Sequence, residues 1–277
     1  RAAALSEHAR GLGLELLVEA HDAAELARAV ALGADPIGVN ARDLGSFEID
    51  RRAALELVAA APRDRVLVAE SGVLSRAHGA AAELAGADAM LVGTALMRAR
   101  EPAAKLRELL GRPLVKVCGL TRKEDVAAAA EAGADLAGFV LARETPRRAP
   151  RVLVVPETML SVAVYVGERG ESASDLDQLY ARDPATGMRT RDGVLLRGDE
   201  QVARVVDRAW QQDDPGHLER ARVAAGRIML AGGLSPENVR AAIEAVSPWA
   251  VDASSSLELE PGIKDHERVR AFVEAAR

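Results

Sequence analysis

The chain has 277 residues, a formal net charge of -6, 49% hydrophobic residues and only 3% aromatic residues. This length suffices for two modest domains or one large barrel, with a core packed mainly by alanine, valine and leucine. The acidic balance lacks the basic footprint of a nucleic-acid-binding protein, and no apolar run approaches the roughly 18 residues that a membrane span needs.

The single cysteine, Cys118, excludes an intrachain disulfide and fits a reducing, cytoplasmic environment. No signal peptide is visible. The chain begins with Arg1, and residues 1–13 have the pattern of a helix entered partway. We therefore expect a cytoplasmic protein, present here as a fragment that lacks its true N-terminus.

Three segments run from an alanine-rich helix through Gly-Ala-Asp into an apolar stretch, at residues 29–40, 82–93 and 129–140. Glycine directly after a helix favours a left-handed cap, and a short apolar run bounded by turn signals is typical of a buried strand. Strands that are apolar on both faces belong to parallel sheets covered by helices. The repeat therefore predicts βαβ units and an α/β fold.

The predicted strands form two sets, separated at residues 108–113, where a helix ends in glycine and a proline precedes the next strand. The first set lies near residues 15–19, 37–40, 66–70 and 89–93. The second lies near residues 114–118, 136–141, 162–166, 194–196, 227–231 and 250–253. Two stretches, residues 168–193 and 208–227, show no clear strand pattern. We expect two domains, residues 1–110 and 113–277.

Polar or small residues follow seven predicted strands at their carboxyl ends. In parallel α/β folds these ends meet at one face, where ligands bind. The residues are Glu19, Asn40, Glu70 with Ser71, Gly93 with Thr94, Cys118, Gly232 with Gly233, and the run from Asp252 to Ser256. An ordinary turn explains any one of them as well as a site does, but the whole set favours an active site.

Three of these strand ends place glycine or serine directly before a helix, in the sequences VAESG, LVGT and LAGGLSPENV. A helix start offers N–H groups and the positive end of its dipole to an anion. Eight-stranded barrels typically build a phosphate site after strands seven and eight. The same residues suit an ordinary helix cap, and the two roles are compatible. We therefore predict phosphate binding.

Residues 14–110 resemble the second half of indole-3-glycerol-phosphate synthase through LLVEAH, IGVNARDL, VAESGV and ADAMLVGTALM. Residues 113–277 resemble phosphoribosylanthranilate isomerase through VKVCGLTRKEDV, GFV, ETPR, VAVYVGE, LLRGDE, IMLAGGLSPENV and VDASSSLELEPGIKD. Their order resembles the bifunctional fusion of some bacteria. The resemblance implies an α/β fold of the (β/α)8 TIM-barrel type, with a half barrel of strands 5–8 followed by a second, shortened parallel barrel.

The resemblance also implies two reactions of tryptophan biosynthesis. One is the Amadori isomerisation of phosphoribosylanthranilate to a 1-deoxyribulose phosphate, and the other is a decarboxylating ring closure to indole-3-glycerol phosphate. The implied partners are small phosphorylated molecules derived from anthranilate, without a cofactor or a metal. We expect neither nucleic acid nor a membrane as a partner, whereas we expect the half barrel to be capable of oligomerisation.

The resemblance assigns roles to individual residues. Cys118 matches the base that removes the proton from the sugar C2, and Glu19 matches a catalytic carboxylate of the synthase. Strand alternation places Lys116 on the same face as Cys118, where a lysine and helix N-termini favour the thiolate. The substrate-binding positions are Asn40, Arg42, Glu70, Ser71 and, for the anthranilate carboxylate, Arg147. The phosphate-binding positions are Gly72, Gly93, Thr94, Gly232, Gly233, Ser254 and Ser255.

The chain also departs from both families. It lacks the first four synthase strands, which carry two lysines and a further glutamate. Between LLRGDE and IMLAGG there is no Gly-Gly-Thr-Gly loop, and no aspartate is predicted to follow a strand; Arg197 stands where histidine is usual. Three hypotheses stay open: a partial bifunctional enzyme, a non-catalytic remnant that binds phosphorylated ligands, and another sugar-phosphate barrel isomerase. The histidine-pathway aminoaldose isomerase is an example of the last, but it uses paired aspartates, so VKVCGLT argues against it.

Overall fold

The computed structural model describes residues 2–143, 145–208 and 214–277, and the chain divides into two compact units, residues 1–110 and 111–277. Among the described residues, no helix combines the length and the apolar character that crossing a membrane requires.

The first unit is a four-stranded parallel sheet with helices packed against it. Its strands are β1 (Val18–Ala20), β2 (Ile37–Asn40), β3 (Leu67–Glu70) and β4 (Ala89–Leu91), and they pair in chain order. Its helices are α1 (Ala2–Gly11), α2 (Ala23–Ala31), α3 (Arg51–Ala60), α4 (Arg76–Ala85), α5 (Thr94–Met97) and α6 (Pro102–Leu110). The first strand begins later than residue 15, where it was predicted. Strands β1 and β4 end the sheet order, so the sheet is open at both edges.

The three Gly-Ala-Asp segments have one structural role in common. Their glycines, Gly33, Gly86 and Gly133, adopt left-handed φ values of 65°, 108° and 86° after their helices, which confirms the predicted caps. Each aspartate accepts a hydrogen bond from a backbone N–H next to or within a neighbouring strand: Asp35 from Val66 at 2.9 Å, Asp88 from Leu67 at 2.9 Å and Asp135 from Val115 at 2.8 Å. The repeat therefore ends a helix and ties the following strand to the one beside it.

The second unit is a closed barrel of eight strands. The strands are β5 (Leu114–Val117), β6 (Leu136–Val140), β7 (Leu160–Val166), β8 (Leu176–Arg182), β9 (Arg189–Arg197), β10 (Glu200–Val206), β11 (Ile228–Leu230) and β12 (Ala250–Ala253). Helices α7 (Lys123–Glu131), α8 (His217–Val223), α9 (Val239–Val246) and α10 (His266–Ala275) belong to this unit, as do a 3-10 turn (Ser255–Leu257) and a small hairpin of β13 (Glu258–Glu260) and β14 (Ile263–Lys264). The predicted α/β barrel class is confirmed.

One strand breaks the parallel arrangement that the sequence predicted. Strand β9 pairs antiparallel with both β8 and β10, whereas the other neighbouring pairs of the barrel are parallel. The segments on either side of β9, residues 183–188 and 198–199, are short turns. A parallel partner needs a crossover of a dozen or more residues, so turns of this length force a hairpin. The prediction of a wholly parallel second barrel is wrong at this strand.

Residues 168–193 were predicted to lack a strand, but they contain β8 and the start of β9. Strand β8 carries polar residues that are buried, Asp177 and Gln178, so its sequence does not show the expected apolar run. The motif LLRGDE spans the turn from β9 to β10. Because β9 is antiparallel, this turn, which begins at Arg197, lies at the barrel end opposite Cys118.

Candidate active site

A cavity of about 1150 Å³ opens at the carboxyl ends of the parallel barrel strands. It is lined by all six positions predicted for the isomerase part, namely Cys118, Arg147, Gly232, Gly233, Ser254 and Ser255. These residues come from four separate parts of the chain, and strand order alone brings them together. The lining also includes residues that the sequence analysis did not single out: Gln178, Tyr180, Arg189, Asp207 and Arg208.

Cys118 directly follows β5 and lies next to Lys116, as strand alternation predicted. The ammonium of Lys116 is fully buried; it donates hydrogen bonds to Asp252 Oδ2 at 2.9 Å and to Gln178 Oε1 at 2.7 Å, and it also contacts the Cys118 thiol. Gly138 on β6 leaves room for this pair, because a Cβ there would lie 2.7 Å from Cys118 Sγ and 2.9 Å from Lys116 Cε.

Replacing Gly138 with alanine is expected to displace Cys118 and Lys116, since real Cβ atoms do not approach neighbours so closely. Overpacking of this kind costs about 1–3 kcal/mol in free energy of unfolding. Chemical denaturation would measure this loss. The matched control is Gly216→Ala, where the new Cβ would lie 3.7 Å from its nearest neighbour. Equal stability of the two variants would contradict the packing argument.

Two opposing effects act on the protonation of Cys118. Burial raises the pKa of the thiol, and the charges of Lys116 and Lys264 lower it by less. Lys116 thus favours the thiolate, as expected, but burial outweighs it and the net pKa is raised. Burial alone would lower the pKa of Lys116, but Asp252 and Cys118 raise it, and the ammonium keeps its charge.

Asp207 directly follows β10 and is only 6% exposed. Its Oδ2 accepts a hydrogen bond from the Tyr180 hydroxyl at 2.8 Å and pairs with Arg189 at 3.0 Å, while its Oδ1 accepts from the backbone N–H of Arg208 at 2.6 Å. Burial raises the pKa of this carboxyl, although Arg189 and Tyr180 act against the rise. The prediction that no aspartate here follows a strand is therefore wrong. The apolar residues of VARVVD were the signal that could have revealed it.

Arg208, Gly232 and Gly233 form one corner of the cavity. The two glycines have left-handed φ values of 87° and 72°. Arg208 Nε donates to the carbonyl of Gly232 at 2.8 Å, and its guanidinium fills the space where a Cβ of Gly233 would lie. The hydroxyl of Ser254 is buried with no hydrogen-bond partner among the residues that the structure describes. This corner thus offers an anion a fixed cation, whereas the Ser254 hydroxyl lies beside Gly119, where a Cβ would be 2.8 Å from Ser254 Oγ.

Arg147 reaches the cavity with its guanidinium already in an ion pair. It contacts both carboxylate oxygens of Glu258 at 2.8–3.0 Å. Burial would raise the pKa of Glu258, but Arg147 and Lys264 lower it below its usual range, so this carboxylate stays charged. A ligand carboxylate at Arg147 would therefore share the guanidinium with Glu258.

In the first unit, Glu19, Asn40 and Glu70 lie side by side at the carboxyl ends of β1, β2 and β3. Asn40 Nδ2 donates to Glu19 Oε2 at 3.2 Å. Burial, followed by the charge and the hydrogen bond of Glu19, raises the pKa of Glu70 to about 7. A carboxyl group with a pKa near 7 can either donate or accept a proton at neutral pH.

The remaining predicted positions of the first unit have local structural contacts. Arg42 donates to the carbonyl of Phe47 at 3.1 Å. Ser71 and Gly72 have left-handed φ values of 63° and 71°, and a Cβ on Gly72 would meet the side chain of Ile49 at 2.9 Å. Gly93 is the N-cap residue of α5, and Thr94 is its first residue. The predicted ligand contacts of these positions stay predictions.

Two family models match the chain. The model described as indole-3-glycerol phosphate synthase matches residues 1–109. The model described as N-(5'-phosphoribosyl)anthranilate isomerase matches residues 213–275.

Three relatives in curated collections extend these matches. The N-(5'-phosphoribosyl)anthranilate isomerase of Methanoregula boonei is 37% identical, over 59% of this chain and 96% of that protein. The tryptophan biosynthesis protein TrpCF of Yersinia pestis is 33% identical, over 99% of this chain and 64% of that protein. The multifunctional tryptophan biosynthesis protein of Schizosaccharomyces pombe is 30% identical, over 99% of this chain and 45% of that protein. The chain spans about half the length of the first curated relatives that it matches.

Proposed function

We infer that this chain acts in tryptophan biosynthesis as the isomerase. The chain belongs to the phosphoribosylanthranilate isomerase family, and a stretch of indole-3-glycerol-phosphate synthase sequence precedes the isomerase part. One observation carries the proposal. A buried thiol, Cys118, and a buried carboxyl, Asp207, line one cavity together with the guanidinium of Arg208. We assign residues 113–277 to this activity and residues 1–110 to a part of the synthase.

The reaction converts an aminoaldose phosphate into a 1-deoxyketose phosphate. An acid protonates the ring oxygen while the ring opens to the iminium form. A base then removes the proton from C2, which gives an enaminol. A proton returns at C1 while the C2 hydroxyl loses its proton, which gives the ketone. The raised pKa of Asp207 suits a group that must hold a proton before it donates it. Asp207 is therefore the acid and Cys118 the base.

Cys118 needs its thiolate form for this step. Lys116 and Lys264 stabilise the negative charge when the thiol ionises, although burial keeps its pKa above the usual value. The rate should consequently rise with pH on the acid side of the profile.

The phosphate would bind to the corner of Arg208, Gly232 and Gly233 and to Ser254 and Ser255, which line the same cavity, and the anthranilate carboxylate would bind at Arg147. A guanidinium suits either anion because it can donate two parallel hydrogen bonds. The sequence has no Gly-Gly-Thr-Gly loop that could bind the phosphate, so Arg208 would supply the positive charge for this group.

Binding of a phosphate-bearing product analogue is expected to move the backbone amide signals of Gly232 and Gly233. Arg208→Ala should raise KM by roughly tenfold or more with a smaller effect on kcat, because the lost contact is made in both ground and transition states. Arg208→Lys should recover part of the loss. The control is Arg222→Ala on α8, where the arginine pairs with Glu219 at the surface. Unmoved glycine signals at saturation would count against this site.

The proposed function is tested most directly by the loss of phosphoribosylanthranilate fluorescence in the presence of the purified chain. We expect turnover that is abolished by a product analogue. Absence of any turnover by the folded protein, together with retained binding of the analogue, would favour the non-catalytic remnant instead.

We propose that the first unit contributes Glu19, Asn40 and Glu70 to a synthase site whose remaining parts come from strands beyond those of this unit. Its open edges make pairing with another copy, or with a first half barrel, a further part of the proposal.

We also propose a cytoplasmic location, since the only cysteine is placed as a reactive thiol and not as a disulfide partner.

A further inference from the structure

A chain of hydrogen bonds crosses the barrel interior from Lys116 to Asp207. Lys116 Nζ lies 2.7 Å from Gln178 Oε1, Gln178 Nε2 lies 2.7 Å from the Tyr180 hydroxyl, and that hydroxyl lies 2.8 Å from Asp207 Oδ2. All four side chains are buried. Lys116 contacts Cys118, so the chain connects the two sides of the cavity.

The donors in this chain all point in one direction. The Lys116 ammonium has only protons to offer, so it turns the carbonyl oxygen of the Gln178 amide toward itself and the NH2 group toward Tyr180. That NH2 group occupies a lone pair of the Tyr180 oxygen. The Tyr180 proton is therefore aimed at the carboxylate of Asp207.

We propose that Gln178 and Tyr180 are positioning residues for the isomerisation, which together hold the carboxyl group of Asp207 and set the ease with which it releases its proton. The proposal rests on the proposed function, because it takes Asp207 as the acid. Neither residue touches the reacting atoms in this scheme. Both act through Asp207.

Burial of a tyrosine in this barrel does not by itself require a hydrogen-bond partner such as Asp207 for its hydroxyl. Tyr165 on the adjacent strand β7 is as buried as Tyr180, and its hydroxyl has no hydrogen-bond partner among the described residues. Within the described part of the barrel, burial of a tyrosine thus occurs without a partner for its hydroxyl. Burial raises the pKa of Tyr180 well above its usual range, so its hydroxyl remains a donor at any pH used for assay.

Several charged groups surround Asp207 and act on it together. Arg189 from β9 pairs with Oδ2 and lies 4.5 Å above the Tyr180 ring, and Asp252 from β12 adds a like charge. The other nearby groups are His217 and Arg220 from α8, Asp192 from β9 and Arg208 next in the chain. A hydrogen bond donated to a carboxylate lowers its pKa, so loss of the Tyr180 hydroxyl should raise the pKa of Asp207.

The test compares Tyr180→Phe with Tyr165→Phe. The second variant removes the same hydroxyl from a buried tyrosine that does not belong to this chain of hydrogen bonds. Carbon-13 NMR of labelled aspartate would follow the Asp207 carboxyl, assigned by its loss in Asp207→Asn. We expect the titration of Asp207 to move to higher pH in Tyr180→Phe and to stay unchanged in Tyr165→Phe. Since the acid must be protonated, the alkaline limb of the kcat profile should move to higher pH as well, with kcat at the optimum lower by roughly tenfold.

Gln178→Leu should move the Asp207 titration in the same direction by a smaller amount, because it frees the Tyr180 proton to turn away. In the Gln178→Leu, Tyr180→Phe double variant, the Asp207 titration should shift by no more than in Tyr180→Phe alone. If Tyr180→Phe fails to fold, incorporation of difluorotyrosine at position 180 keeps the shape and strengthens the donor, so the titration should move to lower pH instead.

An unchanged Asp207 titration in Tyr180→Phe, or an equal shift in Tyr165→Phe, would overturn the positioning role. The NMR titration needs no turnover. A wild-type protein that lacks isomerase activity would therefore refute the proposed function while the titration still decides whether Gln178 and Tyr180 control Asp207.

Discussion

Replacing Cys118 with alanine is expected to lower kcat for phosphoribosylanthranilate isomerisation by at least about 10²-fold with little change in substrate binding, because a positioned base contributes roughly 10²- to 10⁴-fold. Cys118 follows β5 at the carboxyl end of the barrel, next to Lys116 and inside the cavity. Alanine removes the proton acceptor and little volume. Steady-state kinetics on the fluorescence of the substrate would measure the loss.

The interpretation of that loss depends on two further variants. Asp207→Asn should lower kcat in the same range with the thiol intact, since the amide cannot donate an acidic proton to the ring oxygen. Combining it with Cys118→Ala should cost much less than the product of the single losses, as residues that act in one unit do. Thermal unfolding would exclude a general loss of structure. Wild-type turnover in Cys118→Ala would show that another group is the base.

The parts of the fold that the sequence predicted are those in which local signals and tertiary structure agree. The segments at residues 29–40 and 129–140 show both a cap glycine and a buried apolar strand, whereas the segment at residues 82–93 has the cap glycine but exposes Ala89 and Leu91 on β4. The strands near Ile37, Leu114 and Ala250 lie where they were expected. Strands β8 to β10 were missed or misplaced for a physical reason. In β8, Gln178 and Tyr180 are hydrogen-bonded to each other inside the barrel and the buried Asp177 pairs with Arg169, whereas an alternation pattern counts such polar residues as exposed.

The residues of the candidate site also fall into a group that was predictable from the sequence and a group that was not. Cys118, Gly232 and Ser254 follow strands, and their positions were predictable from strand order. Asp207 and Arg208 depend on a strand that the sequence did not reveal, and the hydrogen bond from Tyr180 to Asp207 joins residues that only the closed barrel brings together. The net pKa shift of Cys118 is the balance of burial against two lysine charges, and no sequence pattern gives the sign of that balance.

The purified chain is expected to form no measurable indole-3-glycerol phosphate. The first unit holds four strands, and β1 and β4 each lack a partner on one side. A barrel needs its full set of strands to close. Glu19, Asn40 and Glu70 lie together on three neighbouring strands, and the raised pKa of Glu70 leaves it able to donate or accept a proton near pH 7. The resemblance to the synthase implies two further lysines for the reaction, on strands that this unit does not contain.

Adding the first four strands of a related synthase should restore part of the synthase activity, because unpaired parallel edges offer hydrogen bonds to matching strands. Leu91 on β4 is 54% exposed, so Leu91→Glu should leave this unit folded and block the rescue with a charge at the new contact. The isomerase activity of the same protein is the internal control, since Leu91 lies outside the isomerase unit. Appreciable synthase turnover without any added fragment would show that residues 1–110 assemble a complete site by another route. Self-association of the chain would then be the first property to measure, because two copies of the four-stranded sheet supply eight strands.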